Sequence, residues 1–147
     1  MLKHDAICKM IPHADDMCIL DAVKSWDEKS ITCLSHAHKK TENPLRNENG
    51  LPMSSLIEFG AQAMAVHGCL LAEEQNLTMS EGYLAALRDV KLARGWLSDI
   101  EGELEIYAEC LFADAGNMIY IMRIEAQGKL LASGRATVVS IFNERVN

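Results

Sequence analysis

The apolar positions of this chain follow two patterns, one continuous and one alternating. Leu51 to Leu71 (LPMSSLIEFGAQAMAVHGCLL) is an almost unbroken apolar run of helical length, with small residues at Gly60, Ala61, Ala63, Ala65 and Gly68. A helix that is apolar on every side is a buried one, and small side chains let neighbouring backbone approach it from several directions. Downstream the period changes to two, with Glu103, Glu105, Tyr107 and Glu109 alternating with Leu104, Ile106, Ala108 and Cys110. Such alternation predicts a strand with one solvated face. Long strands are also expected from Asn117 to Gln127 and from Lys129 to Phe142, with Gly128 in the tight turn between them, and another from Leu84 to Ala93.

In the first third, Asp5 to Met10 reads as a short helix that Pro12 stops, because the residue before a proline is pushed out of the α region. Met17 to Trp26 and Ser30 to Ala37 read as strands joined by the polar turn Asp27-Glu28-Lys29, and His38 to Gly50 is a polar loop without periodicity. The order β-β-helix-β-β-β-β predicts a single α+β domain over residues 1–147, one helix against one mostly antiparallel sheet.

Composition narrows the field. At 147 residues the chain is long enough to bury a core without metal or disulfides. A formal charge of -7 with no Lys/Arg-rich block argues against nucleic acid or an anionic membrane surface as partner. The N-terminus has no signal-peptide pattern, and Glu58, Gln62 and His67 make the long apolar run a poor membrane span, so a cytoplasmic protein is expected. Cys8, Cys18, Cys33, Cys69 and Cys110 are scattered and odd in number, which reads as reduced thiols.

The chemistry centres on Glu58, one carboxyl group in an otherwise uncharged run. A buried carboxyl must be paired, protonated or functional. Ser55-Leu56-Ile57-Glu58 also fits a capping box, in which the serine accepts from a first-turn amide and the glutamate reaches back to the serine N–H. Gln62 lies one turn on and shares the face of Glu58.

Ile11-Pro12-His13, Ile19-Leu20-Asp21, Leu51-Pro52 and Ile57-Glu58 with Ala61-Gln62-Ala63 resemble the 3-hydroxyacyl-acyl carrier protein dehydratases of the FabA/FabZ type. The segments NPLR and IEFGAQAMAVHG resemble more closely a divergent ApeP-like branch associated with aryl polyene biosynthesis. The resemblance covers nearly the whole chain. It implies a hot-dog fold, a long central helix wrapped by an antiparallel sheet, a homodimer as minimal unit, and an acyl-thioester tunnel near the helix start at the dimer interface. It further implies lipid, polyketide-type or aryl polyene biosynthesis, an acyl carrier protein or coenzyme A thioester as substrate, and no cofactor or metal. In such dehydratases a G-H-F-P-G turn before the helix supplies the catalytic histidine. The matching stretch here, Asn43-Pro44-Leu45-Arg46-Asn47-Glu48-Asn49-Gly50, contains none.

Elimination of water from a 3-hydroxyacyl thioester needs a base at the carbon next to the carbonyl and an acid at the departing hydroxyl. The resemblance assigns these tasks to Glu58, with His13 as the leading substitute for the missing histidine because its Pro-His pair is retained. Amides near Met53 and Ser54 are expected to polarise the thioester carbonyl, and Gln62 to contact Glu58 or substrate. His36 and His38, two apart at a strand end, are further substitutes and a weak metal pair. His67 is nine positions after Glu58 and so lies about 180° around the helix, which makes it a structural residue. Met53, Phe59 and Met64 are candidate tunnel walls, and Lys39, Lys40, Arg46, Arg88, Lys91 and Arg94 could dock an acidic carrier. Three function classes stay open: a dehydratase-like hydro-lyase, an acyl thioesterase using the same carboxylate, and a non-catalytic acyl-binding partner subunit.

Overall fold

The computed structural model of the chain describes residues 1–11 and 17–144, apart from the side chain of Glu81. In chain order the elements are β1 (Leu2–Lys3), α1 (His4–Met10), β2 (Ala22–Trp26), β3 (Ser30–Ser35), α2 (Leu56–Glu74), β4 (Leu77–Leu92), β5 (Leu104–Asp114), β6 (Asn117–Ala126) and β7 (Lys129–Glu144). The strands form one seven-stranded sheet in the order β1-β2-β3-β5-β6-β7-β4, antiparallel at every pairing. The sheet wraps α2, and the chain has the expected hot-dog fold.

The expected helix is present with a shifted start. A 3-10 turn over Met53–Ser55 precedes α2. Leu51 is kept out of the helix by Leu97 N–H, which donates to its carbonyl, and by its own N–H, which donates to Ser98 Oγ. A residue before proline is also pushed out of the α region. Phe59, Ala63, Val66 and His67 are fully buried along α2, and Met64 nearly so. At Gly60 any Cβ would collide with the Met122 sulfur, so this glycine is what lets β6 close on the helix. Asn76 ends the helix in the left-handed region at φ 57°.

Two hairpins are set by local chemistry. Ala115-Gly116 (φ 50° and 89°) and Gln127-Gly128 (φ 51° and 78°) are two-residue turns with positive φ at both positions, the geometry that suits the strand twist. Between β2 and β3, Asp27 Oδ1 accepts from Lys29 N–H and Ser30 N–H, both at 2.8 Å. These amides hold the Asp27 carboxyl below its usual range.

Three strand boundaries differ from expectation. The first long strand begins at Ala22, not Met17, because the backbone ahead of it is paired with side chains: Gln62 takes Ile19 N–H and Met17 C=O, and Ser35 Oγ donates to Ile19 C=O. The second ends at Ser35, so His36 and His38 lie beyond it, His38 in a 3-10 turn. The strand expected from Leu84 starts at Leu77. Among the described residues it is an edge strand paired with β7 alone, and register breaks at Met79/Glu81, Leu84/Ala86 and Arg88/Lys91 interrupt its alternation.

His67 is a satisfied core residue, as its angular position predicted. Its Nε2–H donates to Asp27 C=O at 2.8 Å, which leaves Nδ1 to accept from the Tyr120 hydroxyl at 2.7 Å. Burial holds its pKa below the ordinary 6.5 despite the Asp27 contacts.

Two predictions follow from this packing. A Cβ at Gly116 would meet the Ser140 carbonyl oxygen on backbone already at φ 89°, so Gly116→Ala should lose ~2 kcal/mol or more in chemical denaturation; an unchanged midpoint would refute the close approach. Because His67 is harder to protonate folded than unfolded, the unfolded chain binds more protons below pH 6.5. Stability should therefore be full above that pH and fall below it, with a shallower acid loss in His67→Gln measured by urea midpoints across the range.

Candidate active site

A cavity of about 270 Å³ opens beside the start of α2. Ile57, Glu58, Ala61, Gln62 and Ala65, spaced by three and four, put one helical stripe on it. Met79, Gly82, Tyr83 and Leu84 of β4 form the facing wall, with Val138 and Ser140 of β7 and Ile11 closing it. The lining is mostly apolar, with a carboxyl, an amide, a phenol and a hydroxyl among it.

Gln62 organises the polar end. Its Oε1 accepts from Ile19 N–H at 3.0 Å, which fixes the orientation of the amide. Nε2 then donates both its hydrogens, to Met17 C=O at 2.5 Å and to Glu58 Oε1 at 2.9 Å. Every polar group of this buried side chain is used, and Glu58, half-buried on the cavity wall, is held by it. The capping box does not form. Ser55 Oγ donates to Pro52 C=O at 2.6 Å, and Ser55 N–H also goes to Pro52 C=O, at 3.1 Å. Glu58 is thus free of the capping task and faces the cavity.

The other expected site residues are placed elsewhere. Met53 is buried and Ser54 exposed in the 3-10 turn, and neither lines this cavity; nor do Phe59 and Met64. His13 lies outside the described residues. His36 is exposed, its ring 3.7 Å from Asp21 and 3.6 Å from Glu103. His38 points the other way, fully buried with Nε2–H donating to Ile100 C=O at 3.0 Å, and burial lowers its pKa. The two do not share a face, because the chain leaves the strand before reaching them. Among the described residues no histidine lines the cavity with Glu58. The loop in place of the G-H-F-P-G turn is built by Asn43, whose Nδ2 donates to Ala37 C=O and whose Oδ1 accepts from Leu45 N–H. Among the proposed carrier-docking cations, Lys39 is bound to Ser98 C=O and Glu101, and Arg46 to Lys40 C=O.

The cysteines require a correction. Cys8 and Cys18 form a disulfide, so the chain does not hold five reduced thiols. The reason lies in the fold: α1 lies beside the backbone that Gln62 anchors, bringing the two Cα atoms to 5.7 Å. His4, Cys8 and Cys18 cluster within 4.8 Å, but the sulfurs are joined to each other and the donor set is not open to a metal. Burial pushes the Cys33 thiol up to about 12 and that of Cys69 up to about 11, which removes them as nucleophiles.

A model described as ApeP-like, ApeP dehydratase, matches residues 5–145. The chain belongs to the ApeP-like dehydratase family. Among solved structures, this ApeP-like chain is similar to the dehydratase heterocomplex ApeI:P from Xenorhabdus doucetiae, with 23% identity, 96% of this chain and 92% of that one covered, and a TM-score of 0.84. It is also similar to conserved protein PA5202 from Pseudomonas aeruginosa (20% identity, 90% and 97% covered, TM-score 0.63). A hypothetical thioesterase with coenzyme A from Streptococcus pneumoniae matches at 14% identity, 85% and 88% coverage and a TM-score of 0.59. No curated protein matches. At these identities the structural likenesses establish the fold. Met53–Glu74 is long and apolar enough to cross a membrane, but 72% of its apolar window is buried inside the protein.

Tyr83 and Ser140 carry no sequence signal for the site, since only the register of β4 on β7 brings them to α2. The helical stripe of Glu58, Ala61, Gln62 and Ala65 was open to reading from its spacing.

The disulfide closes a loop of about ten residues beside Gln62. Replacing both Cys8 and Cys18 with serine should cost about 2–3 kcal/mol of stability without reductant. Wild type treated with a dithiol should match the variant; equal midpoints for oxidised wild type and variant would show that the bond adds nothing.

Proposed function

We propose that this ApeP-like chain takes part in the reversible dehydration of 3-hydroxyacyl thioesters on acyl carrier protein or coenzyme A, in aryl polyene or related acyl-chain biosynthesis. The observation that carries the reading is the Glu58 carboxyl on the wall of a mostly apolar cavity, held by Gln62 and not engaged in capping. In the reaction, the Glu58 carboxylate removes a proton from the carbon beside the thioester carbonyl. The same carboxyl returns a proton to the hydroxyl on the next carbon, which leaves as water while the carbon–carbon double bond forms. Gln62 is a positioning residue, aiming one carboxyl oxygen and leaving the other for substrate. Carbonyl polarisation by the amides near Met53 and Ser54, and a share of the proton transfer by His13, belong to this proposal.

A second feature favours a working unit of two hot-dog chains. β4 is an edge strand, and Tyr83 (55% exposed) and Leu87 (36%) lie on it in solvent. Long edges carrying apolar side chains are normally covered. A second copy would make the homodimer. A different chain would make a heterocomplex, the kind of assembly the dehydratase ApeI:P is, and could also supply an acid/base group to a cavity whose described lining holds no histidine.

Glu58→Gln keeps size and the contact with Gln62 while removing the proton-transferring group. It should lower enoyl thioester formation ~10²-fold or more at equal folded concentration, with little change in thermal stability. Equal rates in wild type and variant would reject the mechanism. Free thiol without enoyl product would assign a thioesterase, and activity appearing only with a second hot-dog chain would assign the partner-subunit role.

A further inference from the structure

The Cys8–Cys18 disulfide belongs to a wider donor set. His4 opens α1 and Cys8 lies one turn on, so the two meet on one side of the helix, and the bond to Cys18 ties that side to the segment ahead of β2. The ring of His4 is fixed. Its Nδ1–H donates to Leu20 C=O at 2.8 Å, and because a carbonyl only accepts, Nε2 keeps its lone pair, 3.5 Å from Cys8 Sγ. Histidines that ligate metals are held in this way, with one ring nitrogen on a carbonyl and the other on the ion. The spacing agrees as well. With Zn–N ~2.0–2.1 Å and Zn–S ~2.3 Å at tetrahedral angles, a nitrogen and a sulfur on one zinc ion stand ~3.6 Å apart. One ligand atom from each of His4, Cys8 and Cys18 lies within 4.8 Å of the others. While the sulfurs are bonded to each other they cannot act as thiolate ligands; reduction frees both.

We propose that, once the Cys8–Cys18 bond is reduced, His4, Cys8 and Cys18 bind a zinc ion, so that the same two segments are clasped either by the disulfide or by the metal. A dithiol supplies the two electrons and two hydrogens: its own sulfurs join as the Cys8–Cys18 bond opens into two thiols. Zinc then displaces the two thiol protons and takes the neutral Nε2 as third ligand. Two thiolates and an imidazole suit zinc, whereas magnesium and calcium want oxygen. A cavity of about 220 Å³ lined by His4, Cys18, Asp21 and Glu42 adjoins the set. Asp21 is already engaged by His36 N–H at 2.6 Å and by Lys40, so among the described residues the fourth position falls to Glu42 or to water. Cys18 stands between Met17 and Ile19, whose carbonyl and N–H Gln62 holds. Either clasp therefore steadies the segment on which the Glu58 partner rests.

The test is a zinc titration of the full chain against a chromophoric chelator, after reduction by a dithiol and removal of that dithiol without air. Reduced wild type should take up one equivalent at least ~10²-fold more tightly than the oxidised chain. His4 is exposed, and His4→Ala should weaken uptake ~10-fold or more, while Cys8→Ser with Cys18→Ser should abolish it. Cobalt in place of zinc should give thiolate charge-transfer absorption and the visible bands of a four-coordinate site, both lost in the double variant. Zinc should also raise the urea midpoint of reduced wild type toward that of the oxidised chain and leave that of the double variant unmoved. No uptake by reduced wild type overturns the site. Uptake of equal affinity in the double variant also overturns it, since the metal would then rest on other side chains, and so does an affinity unchanged in His4→Ala. If the double variant fails to fold, His4→Ala and the cobalt spectrum of reduced wild type decide.

Discussion

An α-helix with apolar side chains on every face cannot rest on a surface; it has to be enclosed, and almost everything else in this molecule answers that demand. The sheet that encloses α2 is a single curved antiparallel layer in which β3, β5, β6 and β7 lie across it and β4 closes one side. At Gly60 the enclosure is tight, since the Met122 sulfur occupies the space a side chain would need. The few polar groups trapped inside must then find partners within the protein. His67 does so with Tyr120 and a backbone carbonyl, and Gln62 with two backbone groups and Glu58.

Gln62 shows how enclosure produces a site. Its amide substitutes for ladder pairing along the backbone from Met17 to Ile19, so that segment lies outside the sheet and against the helix. The remaining hydrogen of the same amide fixes Glu58. A structural requirement and the orientation of the reactive carboxyl are therefore met by one side chain, and the disulfide at Cys18 braces the segment that the amide holds.

Helix and later strands were legible because each has a single dominant period: continuous apolarity from Leu51, alternation from Leu104, and Gly128 at a two-residue turn. Glu58 with Gln62 was legible for the same reason, as a polar pair one turn apart in an apolar run. The facing wall was not. Tyr83 and Ser140 reach the cavity through the pairing of Tyr83 with Val139 and Gly82 with Ser140, long-range register that nothing local encodes. The start of β4 was hidden because the alternation of Leu77-Thr78-Met79-Ser80 is cut after four residues by the register break at Met79/Glu81. Met17 to Asp21 was misread as strand because its apolar residues are buried in the core as a strand's would be, while its backbone at Met17 and Ile19 pairs with side chains and not with a neighbouring strand. The Cys8–Cys18 pairing was hidden because it depends on where α1 lies, not on spacing.

The three register breaks in β4 bear on which strands can lie along its outer edge. Each break shifts the direction of the free amides and carbonyls, so this long edge presents several short, mutually offset segments and not one straight ladder. An arbitrary extended segment can match one such segment but not the next. Only a strand with complementary interruptions pairs along the whole length, so the irregularity that breaks the alternation also discriminates among partners and limits open-ended association of copies.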